Sequence, residues 1–328
     1  MKRRTSLILF VALCALLSCT SSSTPRARTT LPPRATPPSS KRTPKASPTS
    51  LARLPFVVER AAGAVIGKTG YMLGGLIPGD ASISTILSID LETGVGHRIG
   101  SLPIAAHDAA AVALGNEILV LGGSDPAGTL VQRFDPSTGN VTTVGHLPRV
   151  LSDLAAVSIG GTVYVAGGYD GTRARGEVLQ TTNGRDFKVL ATLPTGLRYA
   201  AVAATGSKLI VAGGQTQSAP ASRSIYLVDT TSGSVSRLAT LPISVAHAVL
   251  VVRGDSAFLI GGRDSAGRPS ARVWRISIST GTVAVSTPLA IPLADSTLLS
   301  DGTTTILAGG ATGDASSGGE TNAEILFT

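Results

Sequence analysis

The sequence predicts an all-β fold made of repeats of four short strands, and three observations predict it. Glycine supplies 38 of the 328 residues while aromatic residues make up only 4%, a composition rich in tight turns. Glycine doublets end an apolar run six times, at Gly74-Gly75, Gly122-Gly123, Gly167-Gly168, Gly213-Gly214, Gly261-Gly262 and Gly309-Gly310. The steps between them are 48, 45, 46, 48 and 48 residues. A second marker keeps pace: Leu54-Pro55, Leu102-Pro103, Leu147-Pro148, Leu193-Pro194, Leu241-Pro242 and Ile291-Pro292. Two markers in register over six copies make the repeat the dominant signal.

Residues 1–18 read as a signal peptide. Lys2, Arg3 and Arg4 form a positive start, and the apolar run from Leu7 to Leu17 is short for a membrane span. The run ends in Leu16-Leu17-Ser18-Cys19. This resembles the lipobox of bacterial lipoproteins, which implies diacylation of Cys19 and cleavage before it. General secretion and the twin-arginine route both remain open. Cys14 and Cys19 are the only cysteines, so the part beyond residue 50 has no thiol chemistry. Residues 19–50 read as a lipidated Cys and a tether. Positions 20–50 hold seven Pro, fourteen Ser/Thr and only Leu31 as a large apolar residue, too little to bury a core. The expected place is the outer face of the bacterial cytoplasmic membrane, with the basic tether drawn to anionic headgroups.

The net charge of +8 comes from this leader. Residues 1–50 hold nine Lys/Arg and no Asp/Glu, leaving 19 basic and 20 acidic residues beyond them. A near-neutral globular part has no electrostatic footprint for nucleic acid.

Residues 51–328 carry the repeats. After each Pro comes a run of small residues such as Ala109 to Ala113, then a Gly turn at Gly115-Asn116. A continuous apolar run follows, such as Ile118 to Leu121, which reads as a strand buried on both faces. A third strand, such as Leu130 to Phe134, ends in a turn like Asp135-Pro136-Ser137-Thr138-Gly139, with Asp opening and Gly closing it. A short polar strand completes the set. Four-stranded units at this period predict the blades of a β-propeller. The last repeat aligns only as far as a third strand at Ala323 to Thr328, so residues near Ser50 to Leu54 are expected to supply the outer strand of the sixth blade.

An apolar strand ending in Gly-Gly at nearly fifty-residue spacing resembles the kelch family. The resemblance covers about 52–328 and implies a six-bladed kelch-type propeller of four-stranded blades, closed by an N-terminal strand in the last blade. The Trp usual near the fourth strand is missing, and the only Trp, Trp274, falls in a third strand. Galactose oxidase resembles this family in its propeller, but its Cys–Tyr cofactor has no Cys here, so no cofactor is expected. Thr181 to Phe187 looks like a sialidase Asp box but lacks its Trp and reads as a hairpin turn.

Counting fourteen positions back from each doublet lands on Arg60, Asp108, Asp153, Tyr199, His247 and Asp295, all polar or ionisable. They precede the innermost strands, so the fold would gather them around one mouth of a central channel. His107 and Arg198 stand beside them. Loops after the doublets, carrying Tyr169, Asp170, Arg173, Arg263 and Asp264, are expected on the same face. Metal-ligand spacing is absent, and no metal is expected. The reading is an envelope-anchored binding or scaffold lipoprotein whose partner is a protein or glycan. The alternative is a cofactor-independent, mutarotase- or epimerase-like carbohydrate enzyme using acid–base residues at the mouth.

Overall fold

The structure, a computed structural model, describes residues 49–124, 126–313 and 323–327. The signal peptide, Cys19 and most of the tether lie outside the described residues. The fold is an all-β propeller of four-stranded antiparallel blades, with no helix among the described residues.

Five blades each use one continuous stretch of chain. In order from the channel outwards, the first pairs Ala62–Ile66, Thr69–Leu73, Thr85–Asp90 and Gly96–Ser101. The second pairs Ala110–Leu114, Glu117–Leu121, Leu130–Phe134 and Val141–His146, and the third Ala155–Ile159, Thr162–Ala166, Glu177–Thr181 and Lys188–Thr192. The fourth pairs Ala201–Thr205, Lys208–Ala212, Ser222–Asp229 and Val235–Val245, and the fifth Val249–Arg253, Ser256–Ile260, Val273–Ser277 and Val283–Val285. The sequence predicts six blades, the sixth closed by an N-terminal strand; the count is corrected in that the blades formed by continuous chain number five. The remaining four-stranded sheet is composite, with Thr297–Ser300, Thr305–Ala308 and Ala323–Phe327 followed by Thr49–Ala52 from the other end of the sequence.

Beyond its first residue, the strand after each inner strand is apolar because it is covered on both faces. Ile118, Leu119, Val120 and Leu121 are all buried. Leu119, Leu121 and Val131 pack against Val163, Val165 and Leu179 of the next blade. The outer turns form as their residues dictate. Asp135 Oδ1 accepts from the Ser137 amide at 2.9 Å and its hydroxyl at 2.7 Å, and Gly139 closes the turn at φ 74°.

The glycine doublets are where neighbouring sheets touch. The Gly123 amide donates to the Leu151 carbonyl at 2.9 Å. A Cβ on Gly122 would stand 2.3 Å from that same oxygen, so a side chain there would push the sheets apart. The other doublets make the same clasp, the last through Gly310 to Val58.

The second marker needs one correction. In the last repeat its place is held by Leu289, not Ile291. Leu289 is buried and donates its amide to Ala271 at 2.8 Å, as Leu147 does to Thr129 and Leu193 to Gly176. Leu289 stands 20 residues before its doublet, the same spacing as the five other leucines, whereas Ile291 is half-buried. The Pro drew the alignment two residues late.

Candidate functional site: the channel mouth

Six short segments converge where the inner strands begin. Arg60, Asp108, Asp153, Tyr199, His247 and Asp295 each stand two positions before the first residue of an inner strand, and each adopts a left-handed backbone, with φ between 51° and 57°. The cause is a closed cycle of backbone hydrogen bonds. Asp108 N–H donates to Arg60 at 3.1 Å, Asp153 to Asp108 at 2.8 Å, Tyr199 to Asp153 at 2.9 Å, His247 to Tyr199 at 3.1 Å, Asp295 to His247 at 3.1 Å and Arg60 to Asp295 at 2.9 Å. Turning each amide sideways toward its neighbour requires positive φ. Glycine would accept that conformation freely, whereas an L-residue is strained by roughly 1–2 kcal/mol. In this glycine-rich chain all six positions nevertheless carry polar side chains.

Those side chains and the residues after them, small except for Leu154, line a cavity of about 110 Å³. Asp295 is the best-held acid. Its Oδ1 is 2.5 Å from His247 Nδ1, and its Oδ2 accepts from Arg263 Nε at 2.8 Å. Burial works against its charge, but the His247 bond and the charges of His247, Arg60 and Arg263 overcome it and hold its pKa at about 2. Asp108 is held loosely, with Tyr199 Oη donating at 3.2 Å, Arg60 Nη1 at 3.5 Å and His107 Nε2 at 3.7 Å. Burial and the neighbouring Asp153 charge push its pKa up to about 8. Burial and the Asp108 charge likewise raise the Tyr199 phenol. Burial lowers Arg60, but Asp108 and Asp295 outweigh it and raise its pKa.

One side of the mouth is a stacked ladder. The Arg198 guanidinium lies 4.3 Å from the Tyr169 ring centre and 4.7 Å from that of Tyr199, and Tyr199 stacks on His247 at 3.7 Å. Arg198 Nη2 also reaches Asp153 Oδ2 at 2.5 Å. Gln215 Nε2 lies 3.0 Å from His247 Nε2, which fixes the ring from its other edge.

The six positions counted from the doublets thus come together, as do Arg198, Tyr169 and Arg263 around them. Other sequence-predicted residues do not line the cavity. His107 is held one step outward between Ser82 Oγ at 2.7 Å and Ser124 Oγ at 2.9 Å, and burial followed by the Arg60 charge lowers its pKa. Asp170 closes its own loop on the amides of Thr172 and Arg173, both at 2.9 Å, while Arg173 is exposed in that loop. Asp264 caps the amides of Ala266 and Arg268 and pairs with the Arg268 side chain at 2.8 Å.

Sequence reasoning missed Ser82 and Ser124. The residue just after each doublet bonds back to the residue just before the ring position, as in Tyr169 with Ser152 and Arg263 with Ala246. Ser124 occupies that place opposite His107, so the doublet register would have found it. Among the described residues no group of three or more His, Cys, Asp or Glu side chains is arranged to hold a metal ion. No protein-family model matches this chain, and no curated protein matches it in sequence.

Proposed function

We propose that this chain is an exported binding lipoprotein, anchored through diacylated Cys19 at the outer face of the cytoplasmic membrane. Its kelch-type propeller binds a protein or glycan partner of the envelope at the channel mouth. In this reading the composite sheet is the sixth blade. Two features support it. The apolar cluster of Leu54, Val58, Met72, Leu299 and Ile306 joins that sheet to the first blade, and six inner-strand segments share one hydrogen-bond cycle.

The observation that carries the binding role is the six strained, polar positions around one cavity. Backbone architecture there asks only for positive φ, so the side chains are the part left for recognition. The cavity is well below the roughly 300–1,000 Å³ of pockets that enclose a drug-sized ligand. Its size favours one projecting group of a larger partner over turnover of an enclosed sugar.

The test is in-cell crosslinking of the full-length chain followed by mass spectrometry, with a glycan array on the purified protein. Tyr199→Ala and Arg60→Ala, checked for an unchanged melting transition, should lose the crosslinked partner or the array signal. Recovery of the same ligands by both variants would remove the mouth as the binding site. An unprocessed amino terminus in the mature protein would remove the anchor.

A further inference from the structure

We propose that the end of the channel opposite the mouth binds a short free peptide. The peptide's C-terminal carboxylate is held at Arg253, and its backbone lies along the edge of an inner strand. The inference concerns a second site and does not rest on the reading of the mouth.

The six inner strands neighbour one another in a closed cycle, and each begins at the mouth. Arg253 ends the inner strand Val249–Arg253 and so stands at the other end of the channel. There the strands surround a second cavity of about 360 Å³, whose lining includes Ala64, Val112, Ser158, Ala204, Arg253 and Ser300. That volume falls within the roughly 300–1,000 Å³ of pockets that enclose small ligands. Among the described residues Arg253 is the only charged one in the lining. Its Nη2 is held by Ser300 Oγ at 3.3 Å, by the Thr303 carbonyl at 3.2 Å and by Thr305 Oγ1. Its Nε and Nη1 have no hydrogen-bond partner among the described residues. The carboxylate that acts on it, Asp301, is occupied by Lys68 Nζ at 2.8 Å and by the amides of Thr303 and Thr304. Burial therefore outweighs Asp301 and lowers the Arg253 pKa. A guanidinium fixed in place with its charge unanswered suits an anion.

The walls select the body of that anion. Each inner strand is paired on one edge only, so alternate N–H and C=O groups turn toward the channel. An alkyl chain would displace water from these groups and replace none of its bonds. A peptide backbone carries N–H and C=O at the same spacing and can add to the edge as a strand, while Arg253 takes its carboxylate. Ala64, Val112 and Ala204 leave room for small side chains only. The lining stretch Leu250–Arg253 extends roughly 13 Å, the length of a blocked dipeptide or tripeptide. Because Arg253 stands at the outer end, the peptide enters by its N-terminal end with the carboxylate trailing. The C-terminus of a whole protein would enter carboxylate first and carry its charge past Arg253, so the ligand is a free peptide.

The experiment is calorimetric titration of the full-length chain at pH 7 with acetyl-Ala-Ala, its C-terminal amide and hexanoate, together with amide hydrogen exchange. The expected result is saturable binding of acetyl-Ala-Ala, weakened about tenfold by the amide cap and by Arg253→Gln and unchanged in Asp264→Asn. Hexanoate should bind more weakly than the peptide, and bound peptide should slow amide exchange in an inner strand. The amide comparison uses the parent chain, so it stands even where Arg253→Gln disturbs folding. Absence of saturation by acetyl-Ala-Ala, equal binding of the amide, hexanoate binding as tightly, or unchanged exchange in every inner strand would overturn the proposal. Crosslinking at the mouth can succeed or fail independently, because the two sites lie at opposite ends of the channel.

Discussion

Asp108 and Asp295 occupy equivalent backbone positions yet are driven in opposite directions. Asp295, held at about 2 in the fold, contributes stability that is present above its unfolded value and lost as pH falls through its folded one. Asp108 has the reverse sign. Its folded pKa is about 8, so between roughly pH 4 and pH 8 the folded state binds a proton that the unfolded chain has released. Stability from this group therefore falls as pH rises through that window. Asp108→Asn should remove the slope: guanidinium unfolding should show the variant gaining on the parent chain from pH 5 to pH 9. A parallel pH dependence in the two proteins would show that Asp108 ionises freely. The ring residues were legible in the sequence because each sits a fixed count before its doublet. Their partners were not. Tyr199 reaches Asp108 across 91 residues, a meeting set by the curvature of the ring and not by local pattern.

At the scale of the element, the repeat is a clasp between sheets. Gly122→Ala would add a Cβ 2.3 Å from the Leu151 carbonyl at φ 62°, whereas Gly115→Ala, at φ 64°, meets open space. The Gly115 change should cost about 1 kcal/mol, the left-handed penalty alone. The Gly122 change should cost clearly more, read as a shift in denaturation midpoint. Equal losses would show that the sheets yield easily at the clasp. The corrected register gives a second test. Leu289→Ala should destabilise by about 2–5 kcal/mol as a buried core truncation, while Ile291→Ala, half-buried, should cost much less. The reverse order would restore the Ile-Pro alignment. Strand identity was legible because continuous apolar runs need cover on both faces. The two-residue slip arose because proline is a conspicuous sequence marker but only the preceding leucine is buried.

At the scale of the whole molecule, Thr49–Ala52 pairs with Ala323–Phe327 and supplies the outer strand of the composite sheet. Deleting residues 1–52 should leave Ala323–Phe327 with an unpaired edge. Such edges invite pairing with other chains. The expected result is a lower melting temperature with self-association in light scattering. An unchanged melting temperature and a monodisperse monomer would show that the closing strand adds nothing to the ring.

The sequence by itself determined the repeat, the strand order within it, the glycine clasps and the six polar positions, because each follows from local spacing and turn chemistry. Tertiary structure alone decided which acid is gripped and which is left loose. Arg263 and His247 converge on Asp295 while Asp108 receives only long contacts, and burial then sets their charges apart. That outcome depends on distances between segments far apart in the chain, which no one-dimensional pattern records.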